Sequence, residues 1–174
     1  MGGKTMVKIH DRKFVSADPD KCVGCQVCEY VCSWTKDKAF NPLKSRIRVV
    51  RINQLINMAV TCRLCEDPAC VAACPREALT QSEETGLVSV DKDKCNGCGW
   101  CIEACDYGAI MLHPDNKVVY ICDLCKEKGE PQCIKWCPEE ALDLVTSDVL
   151  AQKARITAVK KLFQEAVEEK NKKS

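Results

Sequence analysis

Sixteen cysteines fall into four blocks of four along the 174 residues. They read Cys22-x2-Cys25-x2-Cys28-x3-Cys32, Cys62-x2-Cys65-x4-Cys70-x3-Cys74-Pro75, Cys95-x2-Cys98-x2-Cys101-x3-Cys105 and Cys122-x2-Cys125-x7-Cys133-x3-Cys137-Pro138. Thiolates two residues apart can grip three corners of one cubane iron–sulfur cluster. The last cysteine of a block sits one helical turn further on, about 6 Å along the axis, where a neighbouring cluster is the easier target. Zinc accounts for isolated C-x2-C pairs, but not for the triplets Cys22/Cys25/Cys28 and Cys95/Cys98/Cys101. Disulfides would need an oxidising compartment. No cysteine is left over, and the spacing predicts four [4Fe-4S] clusters as cofactors.

Composition bounds the rest. The net charge of +1, from 26 basic and 25 acidic residues, gives no electrostatic reason to expect nucleic acid or an anionic membrane. Three Phe, three Tyr and three Trp make a thin aromatic core, so metal–thiolate bonds are expected to supply folding energy in its place. The first ten residues hold no apolar run and no twin arginine, and no stretch approaches a membrane span. The expectation is a cytoplasmic protein without direct membrane insertion.

Positioning elements follow in order. Lys13 to Ser16 reads as a short strand leading into the first block, and Glu29 to Val31 as the helical turn that carries Cys32. Gly24 lets the backbone approach a cluster. The stretch from Trp34 to Val60 includes a strand over Ser45 to Ile52 and a hairpin partner over Ile56 to Val60. Pro68 can start a short helix that Pro75 stops. Ala78 to Thr80 and Leu87 to Val90 form strands around the Thr85-Gly86 turn, and Ala109 to Leu112 and Lys117 to Tyr120 repeat the unit around Pro114-Asp115-Asn116. A strand ends at Val145. Ser147 and Asp148 cap a final helix to about Glu169, with Ile156, Val159, Phe163 and Val167 as a stripe expected to pack on its own domain, and with Asn171 to Ser174 frayed.

Other residues carry weaker signals. His10 and His113 are discounted as ligands, and His113 in its turn is expected to be solvated. Trp34, Trp100 and Trp136 lie beside cysteines and are expected to shield clusters from water. Lys44, Arg46, Arg48 and Arg51 read as a solvated strand face, with a partner-facing patch as the alternative. No Ser/His/Asp set, phosphate-binding loop or nucleotide fingerprint is legible. Four clusters without a substrate site make a conduit for single electrons.

The second and third blocks resemble a bacterial two-[4Fe-4S] ferredoxin. From Lys21 to Val145 the four blocks are similar to the four-cluster electron-transfer subunits of molybdenum and tungsten oxidoreductases. Cys28-Glu-Tyr-Val-Cys32-Ser-Trp and Phe40-Asn-Pro-Leu-Lys-Ser-Arg-Ile-Arg-Val49 look like the small subunit of aldehyde oxidoreductase-type tungsten enzymes, including tungsten benzoyl-CoA reductase. The chain departs from the ferredoxin pattern where Ser33 and Asp106, rather than proline, follow Cys32 and Cys105.

The resemblance implies an α+β fold of two nested bacterial-ferredoxin-like units, built of short strands, hairpins and short helices, plus a C-terminal helix. The polyferredoxin domain spans 1–146, with an inner unit over 58–113 and an outer unit from 7–57 with 114–146; 147–174 is helix and tail. It implies a hetero-oligomer in which this chain passes electrons between a catalytic tungsten- or molybdenum-pterin subunit and a ferredoxin or a flavin- or NAD-linked electron-transfer protein. The alternatives are a free soluble polyferredoxin, or a subunit of a hydrogenase or carbon monoxide dehydrogenase. Twenty residues between Cys74 and Cys95 match the connection inside a two-cluster ferredoxin. On that basis Cys62, Cys65 and Cys70 take Cys105; Cys95, Cys98 and Cys101 take Cys74; Cys22, Cys25 and Cys28 take Cys137; and Cys122, Cys125 and Cys133 take Cys32. Pairing of the first block with the second and the third with the fourth is the rival.

Overall fold

The computed structural model describes residues 12–52 and 56–172, with side chains to residue 164. His10, the first residues of the expected outer unit and the side chain of Val167 lie outside the described residues. Among the described residues there are eight short strands and five α-helices: β1 (Phe14–Ala17), α1 (Val27–Asp37), β2 (Arg48–Ile52), β3 (Ile56–Val60), α2 (Ala69–Ala72), β4 (Leu79–Gln81), β5 (Val88–Val90), α3 (Trp100–Glu103), β6 (Met111–Leu112), β7 (Val119–Tyr120), α4 (Gln132–Lys135), β8 (Leu142–Val145) and α5 (Ser147–Lys172). The architecture is α+β. No helix among the described residues is long and apolar enough to cross a membrane.

The strands form four antiparallel pairs. Three are local hairpins, β2–β3, β4–β5 and β6–β7, while β1 pairs with β8 so that Phe14 lies opposite Val145. The chain therefore closes on itself around its middle. The β2–β3 hairpin lies between Cys32 and Cys62 as β6–β7 lies between Cys105 and Cys122. The stretch between the first and second blocks thus contains the counterpart of an element that the inner repeat also has.

Burial divides accordingly. Val15, Ala17, Ile47, Ala59 and Leu142 pack around Cys28, Cys32 and Cys133. Ala78, Leu79, Val88, Ile110, Val119 and Ile121 pack around Cys101. Phe14, Leu64 and Val145 form a third cluster, joined by the partly buried Leu87, Leu124 and Leu150. Apart from Phe14, the buried members of these clusters are aliphatic residues and cysteines, in keeping with the scarcity of aromatics.

Three of the block helices are single turns of four residues: α2 and α4 end ahead of Pro75 and Pro138, and α3 is equally short although Asp106 follows Cys105, so proline alone does not set the length. The single turn expected around Glu29 is instead an eleven-residue helix, ending where Lys38 turns left-handed at φ 52.

The C-terminal helix starts at Ser147 as expected and runs to Lys172, past the expected end and through Asn171. Its packing differs from expectation. Leu150, Ala154, Thr157 and Ala158 line a groove against Ser16 to Lys21, and Lys153 Nζ reaches Asp143 Oδ2 at 3.0 Å. The face turned inward beyond Leu150 therefore carries small residues. Ile156, Val159 and Phe163 are offset by about half a turn and are exposed.

Candidate iron–sulfur centres

Each block opens on the same backbone device. The residue before the second cysteine has positive φ: Gly24 at 70°, Leu64 at 51°, Gly97 at 69° and Leu124 at 55°. This left-handed residue bends the loop between the first two cysteines. A Cβ on Gly97 would stand 2.2 Å from the Lys117 carbonyl oxygen, a backbone atom that excludes larger residues, whereas one on Gly24 would stand 2.5 Å from Asn57 Oδ1, the end of a side chain that can turn aside. Leu64 and Leu124 accept the conformational cost because their side chains belong to the cluster that joins β1 and β8 to the blocks.

Three blocks also close alike. Cys74, Cys105 and Cys137 are each followed at the third position by a left-handed residue, Glu77, Gly108 or Glu140. That turn aims the next amide back at the sulfur: Ala78 N donates to Cys74 Sγ at 3.3 Å, Ala109 N to Cys105 Sγ at 3.4 Å and Ala141 N to Cys137 Sγ at 3.3 Å. Cys32 departs from the pattern. Its sulfur accepts the amide of Arg46 at 3.2 Å.

The sulfur sets converge across the chain. Cys22, Cys25, Cys28 and Cys137 line one small void, and Cys74, Cys95, Cys98 and Cys101 line another. The same backbone bond anchors both sets: Asp18 N donates to Ala141 O and Asp91 N donates to Ala78 O, each at 2.8 Å, four residues ahead of Cys22 and Cys95. Cys70 feels Cys62, Cys105 and Cys65, while Cys133 feels Cys122, Cys32, Cys125 and then Cys28. No three His, Cys, Asp or Glu side chains among the described residues stand close enough to hold a single ion. The thiols are disposed around voids, and four soft sulfur donors with amides aimed at the sulfurs fit a thiolate-bound cluster.

Without metal, these thiols resist ionisation. Burial pushes Cys28 and Cys122 up to about 12, and Cys70 and Cys101 up to about 11, with neighbouring thiols adding to the shift. Cys133 is raised further by the same causes. Cys74 goes the other way: burial raises it, but the amides of Ala78, Arg76, Leu79 and Glu77 together outweigh burial and lower it.

Several surrounding residues differ from expectation. Of the basic run, Lys44, Arg46 and Arg48 are partly buried rather than solvated, while Arg51 is exposed as a solvated face requires. Lys44 pairs with Asp115 at 2.5 Å, Arg48 Nη1 lies 3.8 Å from Glu29, Arg51 Nη2 donates to Gly24 O at 2.6 Å and Arg46 lies over the Tyr120 ring. His113 is mostly buried rather than solvated: Nε2 stands 3.4 Å from Asp37, Nδ1 accepts the Asp115 amide, and the ring meets Tyr120 edge-on. Trp100 and Trp136 are 65% and 60% exposed, so most of each ring faces solvent rather than covering a centre. Trp34 stacks on Phe40 at 4.7 Å.

Arg63, inside the Cys62-x2-Cys65 pair, was not singled out from the sequence. Its guanidinium lies 4.8 Å from the Phe14 ring and 5.6 Å from the Tyr107 ring, and Nε and Nη1 are buried without hydrogen-bond partners. Burial lowers its pKa. A cation between two cysteines of one block was the signal available for it.

Comparison with known proteins agrees with this chemistry. A family described as the 4Fe-4S dicluster domain matches residues 54–147. The chain is 41% identical over 145 residues to the polyferredoxin-like subunit of an aliphatic sulfonate oxidoreductase from Pyrococcus furiosus, covering 81% of this chain and 82% of that one. It is 33% identical over 173 residues to the electron transport protein HydN of Escherichia coli, covering 84% and 98%. Among solved structures it is similar, at 25% identity and a TM-score of 0.46 over 90% of this chain and 96% of the other, to a chain of the active-site complex BamBC of benzoyl coenzyme A reductase. The chain belongs to the 4Fe-4S dicluster domain family.

Proposed function

We propose that this chain is the electron-transfer subunit of an oxidoreductase complex and carries four [4Fe-4S] clusters between a tungsten- or molybdenum-pterin catalytic subunit and an external carrier, either a ferredoxin or a flavin- or NAD-linked protein. When bound, each cluster takes up and returns one electron. The proposed ligand sets are Cys22/Cys25/Cys28/Cys137, Cys122/Cys125/Cys133/Cys32, Cys62/Cys65/Cys70/Cys105 and Cys95/Cys98/Cys101/Cys74. The proposed units, 58–113 and 7–57 with 114–146, join through the β2–β3 and β6–β7 hairpins. The proposed location is the cytoplasm, where thiols remain reduced.

One observation carries this reading. Two voids are each lined by three cysteines of one block and the last cysteine of another, Cys22/Cys25/Cys28 with Cys137 and Cys95/Cys98/Cys101 with Cys74. Those sets fit the nested pairing and not the sequential one. The chain's own part is to hold the thiolates, to direct amides at the sulfurs and to limit water around them, which together set a centre's potential.

Anaerobic isolation from native cells, with iron analysis and redox-monitored EPR, tests the proposal. The expected result is about sixteen irons per chain, four for each cluster, and co-purification with a larger pterin-containing subunit. Half that iron would refute the cluster count, and isolation of the chain alone would refute the partner. Replacing Cys32 with Ser should disturb the centre that also depends on Cys122 and spare the one that depends on Cys22.

A further inference from the structure

The environment of Cys32 differs from those of Cys74, Cys105 and Cys137 in one respect. Those three receive the amide of the residue four positions on, delivered by a left-handed turn. After Cys32 the helix continues to Asp37, and in a continuing helix the amide four residues on is committed to the backbone carbonyl of Cys32. A different segment supplies the donor. Arg46, fourteen residues away, gives its amide to Cys32 Sγ at 3.2 Å.

Ser45 and Arg46 bring more than that amide. Ser45 is fully buried; its hydroxyl donates to Ile47 O at 2.8 Å and accepts the Ile47 amide at 3.2 Å, so it fixes the turn that presents the Arg46 amide to the Cys32 sulfur. The Arg46 guanidinium lies 5.6 Å from the Tyr120 ring, and its Nη1 is buried with no hydrogen-bond partner. Among the described residues, the sulfurs of the other three closing cysteines take the turn amide instead, at Cys74, Cys105 and Cys137. A half-buried cation with an open donor, on the residue whose amide meets a sulfur that would belong to an anionic centre, finds a counter-charge within its reach there.

We propose that Ser45 and Arg46 replace the missing turn amide at Cys32 and act as positioning residues that raise the reduction potential of the centre Cys32 ligates. Donors to sulfur and a nearby positive charge both stabilise the form that has gained an electron. The stretch between the first two blocks thereby has a purpose beyond its hairpin, since its turn before β2 tunes one centre relative to the other three. The assignment of that centre to the fourth block rests on the ligand sets proposed above.

Redox-monitored EPR on the full chain, anaerobically isolated and matched for iron content, provides the test. Arg46→Gln should lower the midpoint of one signal, giving about a tenfold fall in the reduced-to-oxidised ratio at fixed potential, which is 59 mV for one electron. Arg46→Lys should recover most of that loss, and Ser45→Ala should lower the same signal about threefold in ratio. The shifted signal must be the one altered by Cys32→Ser. If Arg46→Gln moves no signal, or moves a different one, the proposal is overturned; if that variant fails to assemble, an unshifted Ser45→Ala overturns it equally. Cys122→Ser and Cys22→Ser then separate the two readings. Loss of the shifted signal with Cys22 rather than Cys122 would refute the block pairing while leaving the role of Arg46 at Cys32 intact.

Discussion

Glu29 Oε1 accepts the amide of Val49 at 2.7 Å, a bond from the helix that carries Cys28 and Cys32 to strand β2. The carboxylate is buried, and its second oxygen stands 3.8 Å from Arg48 Nη1. Removing it leaves a buried amide without an acceptor and a half-buried cation without its partner. Glu29→Ala should therefore destabilise the chain by about 2–4 kcal/mol, and Glu29→Gln, which keeps an acceptor, by about half as much. Denaturant unfolding of the cluster-loaded protein measures both. Equal losses in the two variants would show that charge, not the acceptor, holds β2.

Leucine at a left-handed position sets two effects against each other. Leu64 has φ 51 and is 3% exposed, packed with Phe14 and Val145. The conformation costs about 1–2 kcal/mol, whereas losing a buried leucine costs about 2–5 kcal/mol, so burial wins. Leu64→Gly should be destabilising, and Leu64→Ala more so, because alanine loses the packing and keeps the strain. Glu140 has the same backbone handedness at φ 47 but an exposed side chain. Glu140→Gly should accordingly be neutral or stabilising by up to about 1 kcal/mol. Thermal unfolding of the three variants under one set of conditions checks the order.

The metal-free chain should lose stability as pH rises from about 9 to about 12. Burial holds the protons of Cys28 and Cys122 up to about 12, against 9.0 for an ordinary thiol. In that window the folded chain binds more protons than the unfolded one, so stability falls with rising pH and is fully present below about 9. Once the thiolates hold metal they carry no such protons, and loading must release them. The urea midpoint of the reduced, metal-free chain should drop between pH 8 and 10.5, and that of the loaded chain should drop less. A metal-free midpoint that stayed level or rose would contradict this assignment of the protons.

Much of this arrangement was legible because it is local. The C-x2-C spacings mark the loops, Pro75 and Pro138 mark where helices stop, and the Thr85-Gly86 turn marks β4–β5. What escaped depended on contacts distant in sequence. Arg46 looked like one cation on an alternating strand, yet its amide meets a sulfur fourteen residues back and its side chain meets Tyr120. His113 precedes a proline in a turn, a context that usually means solvent, but Asp37 and Tyr120 enclose it from other elements. The length of α1 is not legible locally either: Ser33 and Asp106 both stand in place of proline, yet α1 runs eleven residues and α3 four.

The exposed stripe on α5 gives the last expectation. Ile156, Val159 and Phe163 are 49%, 50% and 68% exposed, while Leu150 near the helix start packs with the Phe14, Leu64 and Val145 cluster. A helix stripe of this kind ordinarily packs on its own domain, and each large residue would then cost about 2–5 kcal/mol to truncate. Here the inward face beyond Leu150 is Ala154, Thr157 and Ala158, so little apolar area on the other side leaves water on folding. Ile156→Ser, Val159→Ser and Phe163→Ser should each change stability by less than about 0.5 kcal/mol, whereas Leu150→Ser should cost about 2 kcal/mol or more. The four variants, unfolded in denaturant as the isolated loaded chain, distinguish the arrangements. A loss above about 2 kcal/mol at Phe163 would mean that the stripe is covered by the domain in solution, and the helix would then have to lie rotated by half a turn from where Ala154 and Ala158 place it.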